Sequence, residues 1–109
     1  MAGHTQLRSI EQLDQFVKQG GKRLLFKHSN TCPISTTAFE EFQAYLKEQA
    51  VPAAVIVVQE DRPVSNEVAE RFQIKHESPQ IFLLDDGSVK WHTSHWKITK
   101  AAIAEAVNA

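Results

Sequence analysis

Leu24-Leu25-Phe26-Lys27-His28-Ser29-Asn30-Thr31-Cys32-Pro33-Ile34-Ser35 is the stretch that decides the fold. Its first three residues form a short apolar run followed by polar ones, the pattern of a buried strand that delivers the chain to a loop. Pro33 suits the first turn of a helix, where its missing N–H would have no intrahelical partner anyway. Thr31 is the expected helix cap. Ala38, Phe39, Phe42, Tyr45 and Leu46 continue as an apolar stripe that ends near Lys47-Glu48. Cys32, the only cysteine in 109 residues, therefore stands where a strand hands over to a helix. A helix N-terminus presents unpaired N–H groups and partial positive charge, and both favour a thiolate over a thiol.

Working outward toward the N-terminus, Ser9 and Gln12 have capping-box spacing, and Ile10, Leu13, Phe16 and Val17 share one helical face before Gly20-Gly21 stops the pattern. Toward the C-terminus, Pro52 breaks the second helix, and Ala53 to Val58 is apolar without alternation, as expected of a central strand covered on both faces. After the polar residues Gln59 to Pro63, Val64, Val68 and Phe72 recur at helical spacing with Ala69 alongside. Gln80 to Leu84 reads as a strand, Asp85-Asp86-Gly87-Ser88 as a tight turn, and Val89 to His92 as the returning strand of a hairpin. Thr99 caps a last helix through Ala101, Ile103, Ala106 and Val107. The order α-β-α-β-α-β-β-α, with right-handed crossovers, predicts a single α/β domain over residues 1–109. Its mixed four-stranded sheet would carry helices on both faces.

Composition narrows the function. With 42% hydrophobic residues the chain can bury a real core, and a formal charge of −1 gives no electrostatic basis for holding nucleic acid. Met1 to Leu7 lacks a basic cluster followed by an apolar stretch. The longest near-continuous apolar run, Ala50 to Val58, is interrupted by Pro52 and too short to span a bilayer. The expectation is a cytoplasmic protein with no membrane partner. One cysteine makes no internal disulfide, which agrees with a reducing compartment and leaves intermolecular chemistry to this thiol.

A solitary cysteine is more often an inert packing residue. Here Ser29, Asn30, Thr31 and Ser35 make polar surroundings, the site is a helix start, and Pro33 stiffens the turn, so an accessible nucleophile is expected. Ser35 occupies the place of the resolving cysteine in a C-x-x-C dithiol oxidoreductase. Its hydroxyl either donates to the Cys32 thiolate or is an ordinary polar group in the first helical turn. Lys27 and His28 are candidate sources of positive charge for the thiolate; the alternative is a solvated strand-end lysine and a surface histidine. In Glu77-Ser78-Pro79-Gln80 the proline either simply opens the following strand or follows a cis peptide bond, and spacing does not decide. His92 and His95 lack the helical spacing and the further ligands of a zinc site, so no metal is expected. The flanking Trp91 and Trp96 are expected to pack the hairpin against the last helix.

The succession of a strand, a Cys-led helix, a strand, a helix, then x-Pro opening a hairpin and a final helix resembles the thioredoxin-like superfamily over nearly the whole chain. More narrowly, Ser29 to Ser35 together with Lys75-His76-Glu77-Ser78-Pro79-Gln80 is similar to the monothiol bacilliredoxins, the YtxJ family. The resemblance implies that Pro79 is cis and packs beside the active cysteine. It also implies that Ser78 offers backbone groups which pair with an incoming peptide or thiol like an added strand. In activity it implies a thiol-disulfide oxidoreductase in which the Cys32 thiolate attacks S-bacillithiolated client proteins and itself becomes bacillithiolated. Free bacillithiol, the thiol co-substrate, would then reset Cys32, and an external flavoenzyme reductase would reduce the bacillithiol disulfide. Two other readings stand beside it. One is a glutaredoxin-like iron–sulfur cluster carrier, against which Pro33 counts because it removes an N–H that could bond to cluster sulfur. The other is a redox-inert adaptor binding peptides along Ser78-Pro79.

Overall fold

Seven residues, Lys22–His28, form the middle strand of the sheet in the computed structural model, which describes residues 3–109. Met1 and Ala2, part of the N-terminal stretch read above, lie outside the described residues. In chain order the elements are β1 (Thr5–Gln6), α1 (Ile10–Lys18), β2 (Lys22–His28), α2 (Pro33–Glu48) and β3 (Ala53–Val57). They continue with α3 (Arg62–Phe72), β4 (Gln80–Asp85), β5 (Ser88–Ser94), a 3-10 turn at His95–Lys97 and α4 (Lys100–Asn108). The strand order is β1-β3-β2-β4-β5, parallel from β1 through β3 to β2 and antiparallel across β4 and β5.

The sheet has five strands, not the four expected. Thr5–Gln6 pairs in parallel with Ala54 and Val55, and the Leu7 N–H donates to the Val55 carbonyl at 2.8 Å. Two residues are too few to carry an alternating pattern, so this edge strand left no mark in the sequence.

Why β2, β3 and β4 read as unbroken apolar runs is visible in their packing. Leu24, Phe26, Ala53, Val55, Ile81 and Leu83 face Phe42, Tyr45 and Leu46 of α2 and Ile103 of α4. Leu25, Ala54, Ile56, Phe82 and Leu84 face Leu13 and Phe16 of α1 and Val64 and Val68 of α3. Both faces are covered, so no position needs to be polar. On β5, exposed and half-buried residues alternate, Lys90 points to solvent, and a register shift sits opposite Leu83/Leu84, as suits a sheet edge. Trp91 packs on the α2/α4 cluster as anticipated, but Trp96 does not join it and is 68% exposed. It stands in the 3-10 turn that follows β5.

Capping matches the sequence at α1, where Ser9 Oγ accepts from the Gln12 N–H at 3.1 Å, and at α4, where Thr99 accepts from Ala102 at 3.1 Å. At α2 it does not. The N-cap is Cys32, without a side-chain capping bond. The Thr31 hydroxyl is engaged elsewhere.

Register fixes the location of the site. Lys27 pairs with Gln80 and His28 with Val57, so the end of β2, the end of β3 and the start of β4 lie at one end of the sheet. The loops carrying Cys32, Gln59 and Pro79 converge there. Among the described residues, no helix is long and apolar enough to cross a membrane.

Candidate active site

Cys32 is half-buried and has extended backbone geometry, with its carbonyl accepting the N–H groups of Ser35 at 3.0 Å and Thr36 at 3.3 Å. Pro33 follows it, exposed, in the first helical turn. The sulfur thus belongs to the residue from which α2 starts, at the positive end of the helix dipole.

Ser35 has no solvent exposure. Its Oγ accepts the Ser29 N–H at 2.9 Å and lies 2.8 Å from His28 Nδ1. Among the described residues it makes no hydrogen bond to the Cys32 sulfur. Its hydroxyl ties the start of the cysteine loop to the first turn of α2. The His28 ring stacks on Phe39 at 4.6 Å and 25°, and burial pushes its pKa below the ordinary 6.5. At neutral pH His28 is therefore uncharged and supplies no cation to the site. Ser35→Ala should strand the Ser29 N–H, which lies in a residue only 7% exposed, at a cost of about 1–3 kcal/mol. Thermal unfolding reads that loss, while thiol exchange should slow only a few-fold because the serine positions the loop and does not react.

Gln59, in the segment after β3, was not singled out by the sequence. Its Nε2 donates to Ser29 Oγ at 2.7 Å and to Thr31 Oγ1 at 3.0 Å, and its Oε1 accepts the Asn30 N–H at 3.2 Å. One amide thereby holds all three residues that precede Cys32. A glutamine in a polar stretch after a strand reads as a solvated residue, and its partners lie about thirty positions away in the chain.

Lys27 is not a solvated strand-end residue. It is fully buried, because β2 is central and Lys27 faces the α1/α3 side of the sheet. Its Nζ lies 3.1 Å from His76 Nδ1 and 5.8 Å from the centre of the Phe82 ring. It forms no ion pair among the described residues. Burial lowers its pKa from 10.5 to about 8. His76 is lowered as well, first by burial and then by the charges of Lys27 and Arg62, against the opposing pull of Glu77. At neutral pH an ammonium thus donates to the Nδ1 of a neutral imidazole, which leaves the His76 proton on Nε2.

The Ser78-Pro79 peptide is cis. Pro79 is buried, and its carbonyl accepts the His95 N–H at 3.1 Å. Gln80 braces the loop from inside, accepting the Glu77 N–H at 3.3 Å and donating to the Lys75 carbonyl at 3.1 Å. Ser94 Oγ donates to Glu77 Oε2 at 3.0 Å. The Ser78 hydroxyl is enclosed without a hydrogen-bond partner, and among the described residues its backbone N–H and carbonyl make no hydrogen bond either. Cys32, Thr31, Pro33 and Ser35 thus share one loop and helix start, and Ser78 and Pro79 sit on a second loop at the same end of the sheet. Among the described residues, no group of three or more His, Cys, Asp or Glu is placed to hold a metal ion.

Comparison with known proteins agrees with this architecture. A solved structure described as a candidate oxidoreductase with a thioredoxin fold superposes with a TM-score of 0.91 at 34% identity, covering 94% of this chain and 92% of the other. Thioredoxin from Trypanosoma brucei brucei superposes at 0.81 with 11% identity, covering 98% of this chain and 89% of the other. Mitochondrial thioredoxin 3 from Saccharomyces cerevisiae does so at 0.76 with 13% identity, covering 96% and 93%. At those identities the two thioredoxins speak for the fold alone. The family model described as "Monothiol bacilliredoxin BrxC" matches residues 5–103, which include the cysteine loop, the helix it starts and the cis-proline loop. With a thioredoxin fold and a lone thiol at the head of α2, the chain belongs to the monothiol bacilliredoxin family.

Proposed function

We propose that the protein is a cytoplasmic thiol-disulfide oxidoreductase that removes bacillithiol from S-bacillithiolated client proteins through Cys32 alone. The single observation that carries this reading is the half-buried cysteine at the start of α2 with the oxygen of Ser35, not a second sulfur, one helical turn away. In the first step the Cys32 thiolate attacks the bacillithiol sulfur of the mixed disulfide. The bond between bacillithiol and the client breaks, the client thiolate leaves and takes a proton from water, and Cys32 is left in a disulfide with bacillithiol. In the second step the thiolate of a free bacillithiol attacks that cap, releasing bacillithiol disulfide and restoring the Cys32 thiolate. The client cysteine has been reduced at the expense of one free bacillithiol, which ends in a disulfide with the bacillithiol taken from the client, and an external reductase returns that disulfide to two thiols. Ser78, with its unpaired backbone groups, receives the incoming chain beside Pro79.

Intact mass measurement after mixing the reduced protein with bacillithiol disulfide tests the reading. The expected result is a gain of one bacillithiol on the chain, removed by free bacillithiol. Equal or faster capping and release with glutathione disulfide and glutathione would redirect the assignment to a glutathione-dependent enzyme.

A further inference from the structure

An open cleft of about 410 Å³ adjoins the cis-proline loop, lined by Glu77, Ser94, His95, Trp96 and Lys97 among others. The larger cavities, of about 590 and 530 Å³, include no residue from 28–35 or 75–80 and so lie away from the cysteine. The cleft is tied to the reaction centre in two ways. Glu77 stands two residues before Pro79, and the His95 N–H is bonded to the Pro79 carbonyl. The 3-10 turn that carries Trp96 and Lys97 packs on α2, the helix headed by Cys32.

Three kinds of group line this cleft. One is the Glu77 carboxylate, half-exposed, with one oxygen bonded by Ser94 and the other 3.8 Å from His95 Nδ1. Another is the Trp96 indole, 68% exposed. The third is the exposed Lys97 ammonium. A single exposed apolar residue is ordinary, but an indole that shares a cleft with an anion and a cation offers a flat stacking face beside charges of both signs.

We infer that this cleft seats the part of bacillithiol that lies beyond its sulfur, an inference that rests on the functional reading above. Bacillithiol is a cysteine joined through an amide to glucosamine, which carries malate as a glycoside. Outward from the sulfur it presents an ammonium, a sugar ring and two carboxylates. Glu77 pairs with the ammonium, Trp96 stacks on the C–H face of the sugar, and Lys97 pairs with the malate carboxylates. The carboxylate, indole and ammonium that line the cleft are complementary in kind to the ammonium, sugar ring and carboxylates of the ligand.

The test uses one peptide prepared with its cysteine capped either by bacillithiol or by a second cysteine. The cysteine cap keeps the disulfide and the ammonium but lacks sugar and malate, so the ratio of kcat/KM for the two peptides isolates the recognition of those groups. The wild-type ratio should exceed about tenfold, W96A and K97E should each lower it at least about fivefold, and W96F should retain most of it. A high wild-type ratio that W96A and K97E leave intact would overturn the cleft assignment while the proposed function stands. A wild-type ratio near one would overturn the bacillithiol reading itself, and the cleft assignment with it.

Discussion

Cys32→Ser should abolish thiol transfer, lowering the rate of client release by at least about a thousandfold while the protein stays folded. The reason is the absence of any substitute. The chain has no second thiol, and the neighbouring hydroxyls of Thr31 and Ser35 are not ionised at neutral pH and are already occupied, the first with Gln59 and the second with Ser29 and His28. Replacing sulfur by oxygen leaves the backbone that starts α2 untouched, since the capping bonds there run to the Cys32 carbonyl and not to its side chain. Client thiol appearing from a bacillithiolated protein is the quantity to follow, with the thermal midpoint as the folding control. Client thiol release by the serine variant at the wild-type rate would remove Cys32 from the reaction, and no release by either protein would favour the redox-inert adaptor reading.

The second large effect concerns stability. Burial holds Lys27 at about 8 in the folded protein, against 10.5 in the unfolded chain. Between those values the unfolded chain binds a proton that the folded protein has released, so stability rises with pH through that window. Below about pH 8 the folded protein carries the cost of a buried ammonium, about 3 kcal/mol, less whatever His76 and the Phe82 ring return. Lys27→Met keeps an unbranched side chain of nearly the same length and removes the charge. It should therefore be more stable than wild type at pH 7 by about 1–3 kcal/mol and should lose the rise toward pH 10. Burial raises the Tyr45 pKa, which gives a contribution of opposite sign at the alkaline end, but Tyr45 is common to both proteins and cancels in their difference. Urea unfolding at pH 7 and pH 9.5 decides the matter. Parallel pH profiles for the two proteins would show that Lys27 is not the buried cation.

The central architecture was legible because it rests on runs of side chains. Three strands are covered on both faces and four helices bury one face each, so their apolar residues follow periods that a sequence displays directly. The cysteine at the strand-to-helix junction was legible for the same reason, since Pro33 and the stripe from Ala38 onward mark where the helix begins. What escaped depends on partners distant in the chain. A two-residue edge strand exists only by virtue of β3. Thr31 did not cap α2 because Gln59 claims its hydroxyl. Whether Lys27 is solvated stayed open in the sequence because lysine usually is, and only the position of β2 between β3 and β4 encloses it. Trp96 was assigned to the core by its size, and the turn after β5 turns it outward.

The enclosed oxygen of Ser35 also bears on what this scaffold is able to become. A sulfur in its place would be bulkier and a feebler acceptor, so it would have to surrender the Ser29 amide and the His28 ring to fit. A self-resolving, two-sulfur descendant is therefore more than one codon away, because the junction between β2 and α2 would need rebuilding around the newcomer. Until then, under the proposed mechanism, each turnover would draw on small thiols from the surroundings, and the protein's pace would follow the reduced fraction of that pool like a gauge.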